Sequence, residues 1–325
     1  MLGLTLHTQD PAFNLALEEH LLTSLPPGHP GLFMLWQNCP SIIVGRHQCT
    51  AEEVDAAFVQ RENLPVVRRM TGGGAVYHDA GNLNFSFISH VPGPARPDFA
   101  RWLEPVCRAL RDVGVTAVIS GRNDLEAEGR KISGSGQRYW QGRCLHHGTL
   151  LVQADFERMG RALTPDAAKL RSRGVASVRA RVGNLADIWQ SGTTMEDLKA
   201  CLLRHCACGL ADLADADTAA ASALAERKYQ QWSWNYGASP PFDETRSQRF
   251  AFGSISLRLA VRQGRITDCR IYGDFFVQDD ITELESLLTG QSCEPQSLRH
   301  ALASVDWPRW FGPCDAGELL DFFAG

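Results

Sequence analysis

An α+β fold in two domains is what the sequence predicts: a large domain over residues 1–244 and a smaller one over residues 245–325. Three observations carry this. Alternating, turn-punctuated segments fill the middle of the chain while helical periodicity gathers at its flanks, which argues against a doubly wound sheet. A length of 325 residues exceeds the usual single domain. The stretch SPPFDE, residues 239–244, concentrates prolines and turn formers, so the boundary falls just after it.

The elements follow in order. PAFNLALEEHLLTSL, residues 11–25, repeats apolar residues at three- and four-residue intervals before two prolines, which predicts an amphipathic helix. LFMLWQ, SIIVGR and LPVVRR read as strands, with a helix in AEEVDAAFVQREN between the last two. AVYHDAGNLNFSFISHV alternates around Ala80-Gly81 and predicts a hairpin, and DFARWLEPVCRALRDVG predicts a helix closed by Gly114. Residues 115–153 form a meander of strands with turns at Glu128-Gly129 and Gln141-Gly142, and helices dominate from there to about Gln230. In the smaller domain, residues 249–276 alternate around Gln263-Gly264, and DDITELESLLTG begins a helix.

Composition narrows the function. Lys and Arg number 32 against 37 Asp and Glu, a net charge of −5, which disfavours a sequence-independent grip on nucleic acid. No run approaches the roughly 20 apolar residues of a membrane span, and the N-terminus lacks the basic region of an export signal. The ten cysteines therefore read as reduced thiols in a cytoplasmic protein. The patch CLLRHCACG lacks a second ligand pair at zinc-site spacing and has helical periodicity.

Chemistry concentrates in four blocks. RRMTGGGAVYHDAGNLNFSF, residues 68–87, sets Arg68 and Arg69 before Gly72, Gly73 and Gly74, pairing guanidinium forks with bare backbone that can approach an anion. The triplet is neither a Walker loop nor GxGxxG, and by itself such a triplet is more often just a turn. The alternative is that one of the two arginines is solvated, and Arg69, nearer the glycines, is the stronger candidate; His78 is either a general base or a structural side chain held by Asp79. In SGRNDLEAEGRKISGSGQR, residues 120–138, Asp124 is a candidate for a divalent cation, and Lys131 for stabilising charge on a reacting phosphate. His146 and His147 are adjacent on a strand and so face opposite ways. Residues 169–185 carry Lys169, Arg171, Arg173, Arg179 and Arg181, which fits either a loop closing over phosphate or a solvated arm.

These blocks, in this order, resemble the lipoate–protein ligase A family. The glycine loop is similar to that family's lipoate-binding loop, GRNDLEAEGRKISGS to its lysine-bearing turn, and SVRARVGNL to its adenylate-binding loop; FNLALEEHLL, GRHQ and WSWNYGASPPF also fit. The resemblance spans nearly the whole chain. It implies a large mixed-sheet domain of the biotin/lipoate ligase, class II synthetase-like fold with a small α+β accessory domain. It also implies activation of lipoate by ATP and Mg²⁺ to lipoyl-AMP, then transfer to a lysine of apo lipoyl domains in 2-oxoacid dehydrogenase E2 subunits or glycine cleavage H protein. By position, Lys131 matches the essential lysine. Arg69, Thr71, Gly72, Gly73, Gly74, Val76, Tyr77, His78, Asn123, Asp124, Arg138, His147, Arg179 and Arg181 match substrate- and adenylate-side positions, with magnesium at Asp124. Met70-Thr71 departs from the usual Ser-Ser, though Thr71 keeps a hydroxyl.

Two rival readings need different residues. An octanoyltransferase of the same superfamily forms a thioester on cysteine without ATP; VISGRNDLEAEGRK has no cysteine, which leaves Cys144 as the candidate nucleophile. A non-catalytic module that binds lipoyl domains would be expected to lose Lys131, Asp124 or the triple glycine, and all are present.

Overall fold

The computed structural model describes residues 1–91, 97–121, 123–163, 181–236, 244–276 and 279–325. Its contacts divide into two compact units. The first is Met1–Val44, Thr50–Met70 and Ala75–Asn235; the second is Gly45–Cys49, Thr71–Gly74 and Tyr236–Gly325.

In chain order the first unit contains β1 (Leu2–Thr5), α1 (Pro11–Ser24), β2 (Leu32–Trp36), β3 (Ser41–Val44), α2 (Thr50–Glu53), α3 (Ala56–Glu62), β4 (Val66–Arg68), β5 (Val76–His78) and β6 (Asn82–His90). It continues with α4 (Ala100–Asp112), β7 (Val118–Ser120), β8 (Asp124–Ala127), β9 (Arg130–Trp140), β10 (Arg143–Leu151), α5 (Phe156–Ala162), α6 (Met195–Cys206), β11 (Gly209–Leu210), α7 (Asp215–Leu224), a π-helical turn at Ala225–Tyr229, and α8 (Trp232–Asn235). Eight strands form one mixed sheet in the order β11-β1-β2-β6-β10-β9-β8-β7, and a small sheet has the order β4-β3-β5.

The large sheet is covered on both faces. On one, Leu4, Met34, Trp36, Ile88 and Leu145 pack with α1 residues Leu15, Leu17, Leu21 and Leu22. On the other, Phe33, Phe87 and Trp102 of α4 stack with ring centroids 4.8 and 5.4 Å apart. Four expectations are modified. The helix α1 is buried nearly all round, including Asn14 and Glu18, and is not simply amphipathic, because it lies inside the unit. The segment between β3 and β4 breaks into two short helices, since Asp55 stops one and caps the next through a 2.7 Å bond to the Phe58 amide. β5 and β6 form no hairpin: β5 joins β3 in the small sheet while β6 sits between β2 and β10. Asp79, expected to hold His78, instead accepts from the Gly81 and Asp155 amides and so fixes the corner between the two sheets. The turns at Glu128-Gly129 and Gln141-Gly142 have positive φ at both residues, as two-residue hairpin connections require.

The second unit adds β12 (Glu244–Phe250), β13 (Gly253–Arg262) and β14 (Arg265–Gly273), then α9 (Ile281–Leu288), α10 (Pro295–Leu302), α11 (Trp307–Phe311) and α12 (Ala316–Ala324). Its three-stranded antiparallel sheet buries Ile255, Leu257, Leu259, Cys269 and Ile271 against Leu284, Leu288, Leu298, Trp307 and Phe323 of the helices.

Candidate active site

Alternation along the strands assigns side chains to faces. In β10, Cys144 and His146 point toward α4, while Leu145, His147 and Thr149 point toward α1. His146 stacks among Phe85, Phe99 and Trp102 at 5.7–6.1 Å and bonds Gln137 at 3.0 Å. Burial holds its pKa well below the usual histidine value, so it is a neutral core residue. Cys144 is fully buried on the same face, and desolvation pushes its thiol up to about 12. It lacks the exposure and the lowered pKa of a nucleophile.

The α1-facing side is where chemistry gathers. Opposite Ile88, Ser86, Asn84 and Asn82 of β6 lie Leu145, His147, Thr149 and Leu151 of β10; beyond them, on β9, come Arg138 and Gly136, opposite Leu145 and His147. Asp124 of β8 is opposite Gly134 of β9. Lys131 folds back over this surface, its ammonium 2.8 Å from Asp124 Oδ1, with the two side chains 30% and 20% exposed. Gly134 makes room for that pair: a Cβ there would sit 3.0 Å from Lys131 Nζ and 3.6 Å from Asp124 Oδ1.

Neighbouring residues hold this geometry. The Asn123 side-chain amide donates to the Ser135 carbonyl at 2.6 Å, and its own carbonyl accepts from the Ser135 amide and hydroxyl at 2.9 Å. The Lys131 amide donates to the Arg181 carbonyl at 2.8 Å, and the Gly183 amide returns a bond to Lys131 at 2.9 Å. Residues 181–183 thus run beside the lysine. Arg179 and most of the basic segment lie outside the described residues.

The small sheet supplies Arg69, Val76 and His78. Neither arginine is solvated. The Arg68 guanidinium donates to the Trp234 and Asn235 carbonyls and to Thr50 Oγ1 at 2.7–3.0 Å, tying α8 to β4. Arg69 donates to the Ile43 carbonyl at 3.1 Å. Burial draws its pKa down to about 10, with Glu18 the largest charge opposing the shift, so it remains cationic at neutral pH. His78 Nδ1 lies 3.0 Å from Asn38 Nδ2; burial, then Arg69 and His147, bring its pKa to about 3, which corrects the general-base reading because so weak a base is idle at neutral pH. Val76 faces the same way and packs at the core edge. Tyr77 alternates away from His78 and is opposite Ile42. Among the described residues, the buried His78 Nε2, Asn84 Nδ2 and Tyr77 hydroxyl have no hydrogen-bond partner.

The glycine loop belongs to the second unit. Thr71 is fully buried, and its carbonyl accepts from the Arg46 amide at 2.8 Å. Of the triplet, only Gly73 has positive φ, +93°. Gly72 is fixed by packing, since a Cβ would fall 2.0 Å from the Phe275 carbonyl oxygen, and a Cβ on Gly45 would fall 1.9 Å from that of Gly73. His47 stacks on Phe275 at 5.0 Å and 13°. GRHQ and TGGG are thus laced together, and at Gly45 and Gly72 backbone contact alone requires the absence of a side chain.

Sequence reasoning missed Glu18, Asn38, Asn84 and Ser86, which are buried polar residues. The available signal was alternation in NLNFSF with aromatic residues on one side, and a charge set within the apolar repeat of α1. No group of three or more His, Cys, Asp or Glu side chains suited to a metal occurs among the described residues. CLLRHCACG forms helix and edge strand, with His205 bonded to Asp112 at 2.9 Å.

Residues 10–207 match the lipoyl protein ligase A/B catalytic domain, and residues 239–323 match the bacterial lipoate protein ligase C-terminus. The chain is 40% identical to "Lipoate-protein ligase LplJ" of Bacillus subtilis, over 96% of each protein. Among solved structures it is similar in fold to P. falciparum LipL1 in complex with lipoate, with a TM-score of 0.81, 24% identity and coverage of 98% and 97%. It also resembles a bipartite lipoate protein ligase from Thermoplasma acidophilum, studied with its E2 lipoyl domain, at a TM-score of 0.67, 27% identity and coverage of 75% and 98%. A lipoate-protein ligase A bound with ATP gives a TM-score of 0.63 at 25% identity, covering 73% of this chain and 99% of that one.

Proposed function

Since the chain belongs to the lipoate–protein ligase family, we propose that it condenses lipoate with ATP to lipoyl-AMP and passes the lipoyl group to the acceptor lysine of apo lipoyl domains. It is an enzyme, a lipoate–protein ligase. E2 subunits of 2-oxoacid dehydrogenases and glycine cleavage H protein are the proposed acceptors, and the cytoplasm is the proposed location. Among the described residues no helix is long and apolar enough to cross a membrane.

The observation that carries the mechanism is the Lys131–Asp124 pair over Gly134. In the first step the lipoate carboxylate attacks the α-phosphate, and pyrophosphate leaves. Negative charge spreads over the phosphate oxygens, and Lys131, released from Asp124, is the half-buried cation that meets it. This first step transfers no proton, so it needs no general base and makes no demand on the neutral His78. Arg69, buried and charged, supplies a second positive group, and the family motif assigns Thr71 and Gly72–Gly74 to the adenylate. In the second step a neutral acceptor lysine attacks the acyl carbonyl, the bond from that carbon to the phosphate oxygen breaks, the amine gives up one proton to water, and AMP leaves with Lys131 stabilising the departing phosphate.

Asp124 is the residue that would hold magnesium, since its partly exposed carboxylate is the hard oxygen donor such an ion takes. Such an ion would supply further neutralisation of phosphate charge. The proposed domain division, 1–244 catalytic and 245–325 accessory, follows the family pattern. The thioester alternative loses support because Cys144 is buried with a raised pKa.

Mass spectrometry of an apo lipoyl domain tests this reading. Incubation with protein, lipoate, ATP and Mg²⁺ should add a lipoyl mass, and omission of ATP or the Lys131→Ala variant should abolish it. Modification by octanoyl–acyl carrier protein without ATP would refute it.

A further inference from the structure

Of the 32 basic side chains, 28 are arginine and only four are lysine: Lys131, Lys169, Lys199 and Lys228. Lysine is ordinarily among the commonest residues of a protein and among the most exposed. Here every lysine among the described residues is half-buried and ion-paired; Lys169 lies outside them. Lys199 donates to Glu196 at 2.8 Å, its side chain 17% exposed. Lys228, 25% exposed, donates to both oxygens of Glu19 at 2.6 and 2.8 Å and lies 4.0 Å from the ring centre of Trp234. Lys131 donates to Asp124. Exposed cations are arginines instead, as at Arg61, Arg108, Arg204, Arg227, Arg249 and Arg299. A general preference for arginine would thin the lysines without drawing the remaining ones out of solvent, so their number and their placement are separate observations.

We propose that this distribution protects the enzyme from its own intermediate: arginine keeps positive charge at the surface and withholds the amine that an acyl adenylate modifies. The proposal rests on the ligase reading above. Lipoyl-AMP is a mixed anhydride of a carboxylic and a phosphoric acid. A neutral lysine amine attacks its acyl carbon, the bond from that carbon to the phosphate oxygen breaks, AMP leaves with the electron pair, and the nitrogen gives one proton to water. The product is the amide meant for an acceptor domain, formed on the wrong protein and consuming one lipoate and one ATP. Adenylate that leaves the site before an acceptor arrives meets this chain first. A guanidinium does not take part, because it stays protonated in proteins and its charge is delocalised over the nitrogens. Lys199 and Lys228 must break a carboxylate contact before the nitrogen can attack. Lys131, in the mechanism above, exchanges Asp124 for phosphate oxygens and so remains an ammonium while the adenylate is present.

Peptide mass mapping tests this. The full chain is incubated with lipoate, ATP and Mg²⁺ in the absence of any acceptor, as the parent and as Arg108→Lys and Arg249→Lys, which place amines at exposed positions of α4 and β12. Lipoyl occupancy at each substituted position should exceed that at Lys199 and Lys228 of the same chain by at least about fivefold, the upper end of what an exposed ion pair withholds. Substituted positions no more modified than Lys199 and Lys228, whether all are labelled or none is, would overturn the proposal and leave the arginines a matter of composition. A parallel incubation replaces lipoate and ATP with acetyl phosphate, a mixed anhydride of the same class, and should rank the positions in the same order. If the parent shows no lipoate-dependent pyrophosphate exchange, the ligase reading fails. Acetyl phosphate then still reports on the lysines by themselves: equal acetylation at substituted and native positions would show that the native ones are not protected.

Discussion

Replacing Gly134 by alanine should separate catalysis from stability. A Cβ built there lies 3.0 Å from Lys131 Nζ and 3.2 Å from Cε, against 3.4–4 Å for ordinary contact. The ammonium must therefore withdraw by about 0.4 to 1.0 Å, the difference between those distances. Misplacing a reacting group by about 1 Å can cost about 100-fold in rate. We expect lipoate-dependent pyrophosphate exchange to fall roughly 10- to 100-fold, a barrier increase of about 1.4–2.7 kcal/mol. Stability should hold or rise, because the displaced atoms are the end of a flexible side chain and alanine relieves about 0.5–1 kcal/mol of glycine's backbone entropy cost. Thermal unfolding measured beside the exchange assay separates the two. Gly160→Ala is the control, since it sits in α5 with nothing within 4 Å of the new methyl. Full activity in Gly134→Ala, or a loss that tracks unfolding, would refute the assignment of Lys131.

Cys144→Ser should keep ligase activity within about twofold, since a buried thiol with a pKa near 12 takes no part in the reaction; loss of product in the mass assay would revive the thioester route. Arg68→Ala should destabilise the protein by about 2–4 kcal/mol in denaturant titration, because three acceptors lose a buried charged donor; a change below about 1 kcal/mol would show that those bonds are idle. His78 supplies a pH test. Its folded pKa of about 3 lies below the unfolded value of 6.5, so the unfolded chain binds more protons between them. Its contribution is complete above pH 6.5 and is lost as pH falls toward 3. One such group gives a slope of at most about 1.4 kcal/mol per pH unit. His78→Asn should flatten the acid limb by that one proton, and an unchanged slope would show His78 to be protonated in the fold.

Much of this architecture could be read from the residues, for local reasons. The β7–β10 meander and the hairpin at Gln263-Gly264 announce themselves through turns that demand positive φ. The helix ending near Gly114 does so through its C-terminal glycine, whose amide bonds Arg111. Failures arose where partners are distant. Nothing near Ala80-Gly81 reveals that the two flanking strands enter different sheets, because Asp79 finds its partner at residue 155. Nothing beside Arg68 shows that its guanidinium is buried, because its acceptors Trp234 and Asn235 lie 166 and 167 positions away. In the candidate site, Lys131 and Asp124 were legible because a turn brings them together. Glu18 and His147 were not read as a pair, since 129 residues separate them.

Strand β6 carries Asn82, Asn84 and Ser86 on one side and Leu83, Phe85 and Phe87 on the other. Both rows are buried, so neither can be exchanged for the other: a slip of one residue in pairing would drive phenylalanines among the polar groups and asparagines into the aromatic packing. The strand therefore acts as a partition wall whose two surfaces are specified together. Engineering through β6 would therefore weaken the wall itself.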